Sequence, residues 1–120
     1  MDKPVPKPDR KSIAAWDRAK RDGRVRAMIT AYDYPFARLA SEAGIDGILI
    51  GDSLGMTVQG RDDTLRVSLE QMVYHTEIVA RAAPDCLIMA DLPFGSFEKS
   101  PAQAFESAAL LVKAGADIIK

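Results

Sequence analysis

The segments Glu42-Ala43-Gly44-Ile45-Asp46-Gly47-Ile48-Leu49-Ile50 and Lys113-Ala114-Gly115-Ala116-Asp117-Ile118-Ile119 are two copies of one joint. Each closes a helical pattern, stops on glycine, passes an aspartate and enters an apolar run. A chain that builds this joint twice is building a βα array. Unbroken apolar runs such as Gly47-Ile48-Leu49-Ile50 suit strands covered on both faces, as in a parallel sheet. Successive βα units make right-handed parallel crossovers, so two architectures fit: a doubly wound sheet and a (β/α)8 barrel. Nothing after the first strand resembles G-x-G-x-x-G, which weighs against a dinucleotide-binding sheet. The expected fold class is therefore α/β, the N-terminal part of a (β/α)8 TIM barrel with a short N-terminal helix. Only part is expected, because a full barrel needs about 200 residues or more and the chain has 120.

Residues 1–11 contain three prolines and little apolar content, and read as a flexible leader. Residues 12–120 read as the incomplete barrel domain: three βα units and the start of a fourth strand. Ser12 caps a short helix to about Lys20, with Ile13, Trp16 and Ala19 on one side. Asp22-Gly23 turns the chain into a first strand over Val25 to Thr30. A helix opening at Tyr34-Pro35 carries Phe36, Leu39, Ala40 and Ala43 as its apolar face and stops at Gly44. The second strand, Gly47 to Ile50, leads into an unusually long loop, Gly51 to Val67. Ser68 with Gln71 is a capping box for a helix whose buried stripe is Leu69, Met72, Val73, Thr76 and Val79. The third strand is Leu87 to Ala90. Ser100-Pro101-Ala102-Gln103 is a second capping box, opening a helix with Ala104, Phe105, Ala108, Leu111 and Val112 inward.

Composition narrows the function classes. No run approaches 18 apolar residues, so no transmembrane helix is written here. The N-terminus MDKPVPKPDRK lacks the apolar core of a secretory signal. A single cysteine, Cys86, makes no internal disulfide and suits a reducing cytoplasm. Residues 1–26 hold nine basic and four acidic side chains, and residues 27–120 seven and thirteen. A basic arm on an acidic body is compatible with nucleic acid. However, the arm has one aromatic, Trp16, and no base-reading motif, so a solvated or subunit-contacting arm is expected.

In both architectures chemistry sits at the C-terminal ends of the strands. That rule selects Thr30-Ala31-Tyr32-Asp33, then Gly51-Asp52-Ser53, then Asp91, then Lys120. Asp52 and Asp91 each follow an apolar strand directly. Two carboxylates at neighbouring strand ends repel unless a cation sits between them. Few, hard oxygen ligands suit Mg²⁺, which keeps waters and open positions. Capping of the following loops explains both aspartates equally well. Ser53 and the amides around it can hold a carboxylate, or merely form a turn. Lys120 pairs with a carboxylate or a developing enolate, or is a surface lysine. Tyr32 and Asp33 belong to the rim of the site or cap the next helix, with capping expected of Asp33. Met56, in the long loop, can line a pocket. His75, the only histidine, lies mid-helix two turns from the mouth, where a surface or packing role is expected. Cys86, at the opposite end, reads as a small buried hydrophobe. No Ser/His/Asp relay, zinc pattern or Walker loop is present.

At these same residues a resemblance emerges. Ile29-Thr30-Ala31-Tyr32-Asp33-Tyr34, Ile50-Gly51-Asp52-Ser53-Leu54-Gly55-Met56-Thr57-Val58-Gln59-Gly60, Tyr74-His75-Thr76 and Ala90-Asp91-Leu92-Pro93-Phe94 closely resemble the ketopantoate hydroxymethyltransferase family. The resemblance spans about residues 12–120. It implies a cytoplasmic (β/α)8 barrel enzyme of pantothenate biosynthesis, assembled as a homodecamer and binding neither nucleic acid nor membrane. The implied reaction adds a hydroxymethyl group from 5,10-methylenetetrahydrofolate to the 2-oxo acid 3-methyl-2-oxobutanoate, giving 2-dehydropantoate, with Mg²⁺. By resemblance, Asp52 and Asp91 are the metal-binding residues and border the oxo acid, Ser53 holds its carboxylate, and Lys120 contacts substrate. A member of that family is more than twice this long. It carries a further metal-associated Glu two positions past Lys120 and its general base, also a Glu, on a later strand. The expectation is thus that no catalytic base lies within this chain, and that the chain is a truncated sequence inactive alone.

Two other readings compete. One is a Mg²⁺-dependent phosphoenolpyruvate mutase- or lyase-like barrel, though such enzymes carry closely spaced acids after the third strand where this chain has Leu92-Pro93-Phe94. The other is a non-catalytic fragment that associates with other subunits.

Overall fold

A computed structural model describes residues 9–120. The elements run α1 (Ile13–Arg21), β1 (Met28–Thr30), α2 (Tyr34–Glu42), β2 (Gly47–Ile50), α3 (Leu54–Thr57), α4 (Leu69–Ala82), β3 (Leu87–Ala90), α5 (Pro101–Ala114) and β4 (Ile118–Ile119). The four strands form one sheet in the order β1-β2-β3-β4, every pair parallel. Among the described residues the order never reverses, so they contain no switch point of the doubly wound kind. Consecutive parallel strands joined by helices are the repeating unit of a barrel wall.

Pleating sorts the strand residues. Ile48 and Ile50 on β2 and Ile88 and Ala90 on β3 are fully buried in one cluster with Met72 and Val79 of α4 and Leu111 of α5. Full burial of such an aliphatic side chain contributes roughly 1.5–3 kcal/mol. Leu49 and Met89, between them, point to the opposite face and are half-buried. Trp16 of α1 lies against the N-terminal end of β2, where a Cβ on Gly47 would stand 3.0 Å from its ring.

Local signals set most boundaries. Ser12, Asp33, Ser68 and Ser100 each cap a helix by accepting a main-chain N–H three residues on. The Ser68–Gln71 box is reciprocal. The Ser100–Gln103 box is only half formed, because the Gln103 amide oxygen takes the N–H of Lys99 instead of Ser100. Gly115 ends α5 in the left-handed conformation, φ 115°.

Packing overrules the periodicity in several places. The first strand is Met28–Thr30, shorter than expected, and Val25 is 92% exposed. On α2, Phe36 and Leu39 face outward and the fully buried residue is Ala37. Phe105 and Val112 of α5 and Ile13 of α1 are likewise exposed, while Ser107, Leu111 and Ala114, and Ala15 and Ala19, turn inward. The long loop carries a helical turn, α3, with Leu54 and Gly55 buried. Of the expected leader, residues 1–8 lie outside the described residues. Arg10 donates to the carbonyls of Ser41 and Ile45, and Lys11 pairs with Asp117 at 2.8 Å. No helix among the described residues is long and apolar enough to cross a membrane.

Candidate active site

The strand ends gather polar side chains at one mouth of the sheet. Asp91, the residue after β3, is nearly buried, its side chain 8% exposed. Its Oδ2 accepts the main-chain N–H of Asp52 at 3.1 Å, so the residue after β2 is tied to it through the backbone. Its Oδ1 accepts from the Lys120 ammonium at 2.8 Å, just past β4. That bond, with the nearby charges of Asp91 and Asp52, raises the Lys120 pKa above 10.5 against the opposing effect of burial. Lys120 is therefore held as a cation facing two carboxylates. Ser53 adds a hydroxyl, whose Oγ lies 2.7 Å from the Tyr32 hydroxyl.

Two glycines make room for this cluster. A Cβ on Gly51 would stand 2.8 Å from Ser53 Oγ and 3.5 Å from Asp91 Oδ2. A Cβ on Gly55 would stand 2.7 Å from Val67 Cγ2 and 3.2 Å from the Asp63 carbonyl, where the long loop folds back on α3. Such contacts require glycine for close approach.

The structure thus brings Asp52, Ser53, Asp91 and Lys120 together with Tyr32. Asp33 is a helix cap, its Oδ1 accepting from Phe36 N–H at 2.9 Å. Met56 is half exposed, while Thr57 and Val58 line a cavity of about 400 Å³ beside Tyr32. Cys86 is fully buried at the far end, its thiol donating to the Ile45 carbonyl. His75, expected in a surface or packing role, packs against the strand-end connection after β1. Its Nδ1 lies 2.6 Å from the Tyr32 carbonyl, so it touches the rim of the site. Packing of α2 on α4 brings the connection after β1 onto the middle of α4, which no local spacing announces.

Among the described residues, no three His, Cys, Asp or Glu side chains are grouped as a metal cage. The donor set nevertheless fits Mg²⁺, which binds through one or two carboxylates and keeps its remaining positions for water and substrate oxygens. A carboxylate has about four acceptor positions, and the bonds to Lys120 and Asp52 use two of those on Asp91. The Asp52 carboxylate accepts no hydrogen bond from the described residues.

The family model described as ketopantoate hydroxymethyltransferase matches residues 10–120. The chain belongs to the ketopantoate hydroxymethyltransferase family. Over 110 residues it is 63% identical to the 3-methyl-2-oxobutanoate hydroxymethyltransferase of Acidithiobacillus ferrooxidans, covering 92% of this chain and 42% of that one. It is 51% identical over 109 residues to the enzyme of the same name from Escherichia coli, covering 91% and 41%. The chain therefore spans about two-fifths of the length of these curated relatives. Among solved structures it is similar to a phosphonopyruvate hydrolase in complex with oxalate and Mg²⁺, with TM-score 0.73 and 20% identity over 88% of this chain and 36% of that one. It is also similar to 2,3-dimethylmalate lyase, a member of the PEP mutase/isocitrate lyase superfamily, with TM-score 0.67, 20% identity and 88% and 37% coverage. At that identity the likeness is one of fold, and it places the sheet of this ketopantoate hydroxymethyltransferase family member as the first part of a barrel.

Proposed function

We propose that this chain carries the oxo-acid- and Mg²⁺-binding portion of a 3-methyl-2-oxobutanoate hydroxymethyltransferase. The observation that carries this reading is the Asp91 carboxylate, nearly buried and joined at once to the Asp52 amide and the Lys120 ammonium. Asp52 and Asp91 would hold the metal, and Ser53 would donate to the substrate carboxylate. When bound, Mg²⁺ supplies a Lewis acid for the oxo acid's ketone, which eases loss of the C3 proton. Lys120, kept protonated by Asp91, stabilises negative charge as it develops on the substrate. Asp91 is committed to holding Lys120 and the Asp52 amide, and on family resemblance the base for the C3 proton is a Glu outside residues 1–120. The one-carbon donor, 5,10-methylenetetrahydrofolate, the homo-oligomeric assembly and the cytoplasmic location complete the proposal on family membership.

NMR titration of the protein with 3-methyl-2-oxobutanoate tests it. Mg²⁺ is expected to tighten binding. In deuterated water, C3–H exchange is expected from a chain extended past Lys120 and not from this one. Mg²⁺-independent affinity, or no binding at all, would overturn the reading, and exchange by this chain would overturn the assignment of the base.

A further inference from the structure

We propose that Tyr32 and His75 are positioning residues that aim the Ser53 hydroxyl at the carboxylate of a 2-oxo acid. The proposal rests on the role of Ser53 given above. A serine hydroxyl has one proton. If Ser53 donates that proton to a substrate carboxylate, its oxygen must act as acceptor in the 2.7 Å contact with Tyr32. The Tyr32 hydroxyl is then the donor, and its direction fixes where the Ser53 proton points. Gly51 leaves Ser53 Oγ the space to sit there, since a Cβ would stand 2.8 Å away.

Tyr32 in turn is not clamped by packing alone. One side of it faces the 400 Å³ cavity, with Ala31, Phe36, Val58 and His75 among its walls. What holds its backbone is the 2.6 Å contact between its carbonyl and His75 Nδ1. A carbonyl only accepts, so Nδ1 must carry a proton. The order of control runs from His75 to the Tyr32 main chain, to the Tyr32 hydroxyl, to Ser53. Neither His75 nor the Tyr32 carbonyl touches the oxo acid in this scheme.

Because His75 is the only histidine, the ¹⁵N imidazole spectrum of the protein reports on it without ambiguity. The expected spectrum near neutral pH shows a protonated Nδ1, unchanged by Tyr32→Phe. Affinity for 3-methyl-2-oxobutanoate with Mg²⁺ is expected to fall about five- to tenfold in Tyr32→Phe and in His75→Ala, the loss of one hydrogen bond's contribution. His75→Asn, whose amide nitrogen stands near the place of Nδ1, is expected to restore most of it. The double variant is expected to bind no more weakly than Tyr32→Phe alone. An Nε2-protonated, Nδ1-bare imidazole, wild-type affinity in Tyr32→Phe, or additive losses in the double variant would each overturn the proposal. Ser53→Ala separates it from the reading beneath it. Loss of affinity there but not in Tyr32→Phe defeats the positioning chain alone, whereas full affinity in Ser53→Ala defeats the carboxylate role of Ser53 and the chain with it.

Discussion

The two ends of the sheet each hold a pair of aspartates, and the pairs are used differently. At the N-terminal end, Asp46 accepts from the Arg26 guanidinium at 2.8 Å and from the Ala27 amide at 2.9 Å. Asp117 takes a similar pair of donors, both on Oδ2: the Ile88 amide at 2.9 Å and the Lys11 ammonium at 2.8 Å. Each aspartate sits just before one strand and grips the amide at the start of the strand before it. Both oxygens of Asp46 are spent on the fold. At the C-terminal end, Asp91 makes two bonds of similar kind, while Asp52 joins in through its backbone. Of the four, Asp52 is the one whose carboxylate takes no donor among the described residues, and Asp91 ties it to Lys120.

This comparison is broken most readily by Asp91→Asn. The amide oxygen still accepts from the Asp52 N–H, and the exposed Lys120 loses only a surface-like partner, so stability should shift by less than about 1 kcal/mol. Mg²⁺-dependent affinity for the oxo acid should fall by at least about 100-fold, because Asp91 would hold the metal directly and even a lost group that only orients a ligand costs a metal site about 10- to 100-fold. Calorimetric titration beside urea unfolding reads both. An unfolded Asp91→Asn protein, or one that still binds tightly, would erase the distinction between the ends.

Asp46→Asn should behave in the opposite way. It removes the charge in a pair whose side chains are 14% and 20% exposed, and should cost about 2 kcal/mol in urea unfolding with oxo-acid affinity unchanged. Burial pushes the Asp46 pKa up, but the Ala27 amide and Arg26 outweigh it and leave the pKa below 3.8. The stabilisation is therefore present above the unfolded value and lost as pH falls through the folded one. Lys120, raised above 10.5 by its hydrogen bond to Asp91, loses its contribution only as pH rises through its folded value. Unfolding followed against pH should show Asp46→Asn lacking part of the acid slope and keeping the alkaline one.

The smallest effect concerns neither end. Thr76, on α4, buries its hydroxyl completely, and the Oγ1 finds no partner among the described residues. Thr76→Val should raise stability by up to about 1 kcal/mol and leave affinity alone. A loss instead would show that the hydroxyl is satisfied by a buried water.

Much of the fold was legible because the signals were local. Ser68 with Gln71 marks a helix start whatever surrounds it, and Gly115 marks a helix end. The apolar runs at Gly47 and Leu87 suited covered strands, and both are strands of the parallel sheet. Asp52, Ser53, Asp91 and Lys120 were selected by the rule that chemistry follows the strand, together with family resemblance. What stayed hidden depended on distant partners. The repeated Gly-x-Asp joint was visible, but not that its aspartate reaches sideways to a neighbouring strand. Phe36 and Leu39 had the right spacing for a core face, yet Ala37 is the residue of α2 that is fully buried.

The sequence by itself determined the alternation of strand and helix, the helix ends and the row of polar residues after each strand, since these follow from backbone preference and period over a few residues. Tertiary structure decided which helix face is buried, which carboxylates are spent, and that His75 meets the Tyr32 carbonyl across 43 residues of chain. Those outcomes depend on the close approach of separate elements, a property of the packed molecule that no local stretch of sequence contains.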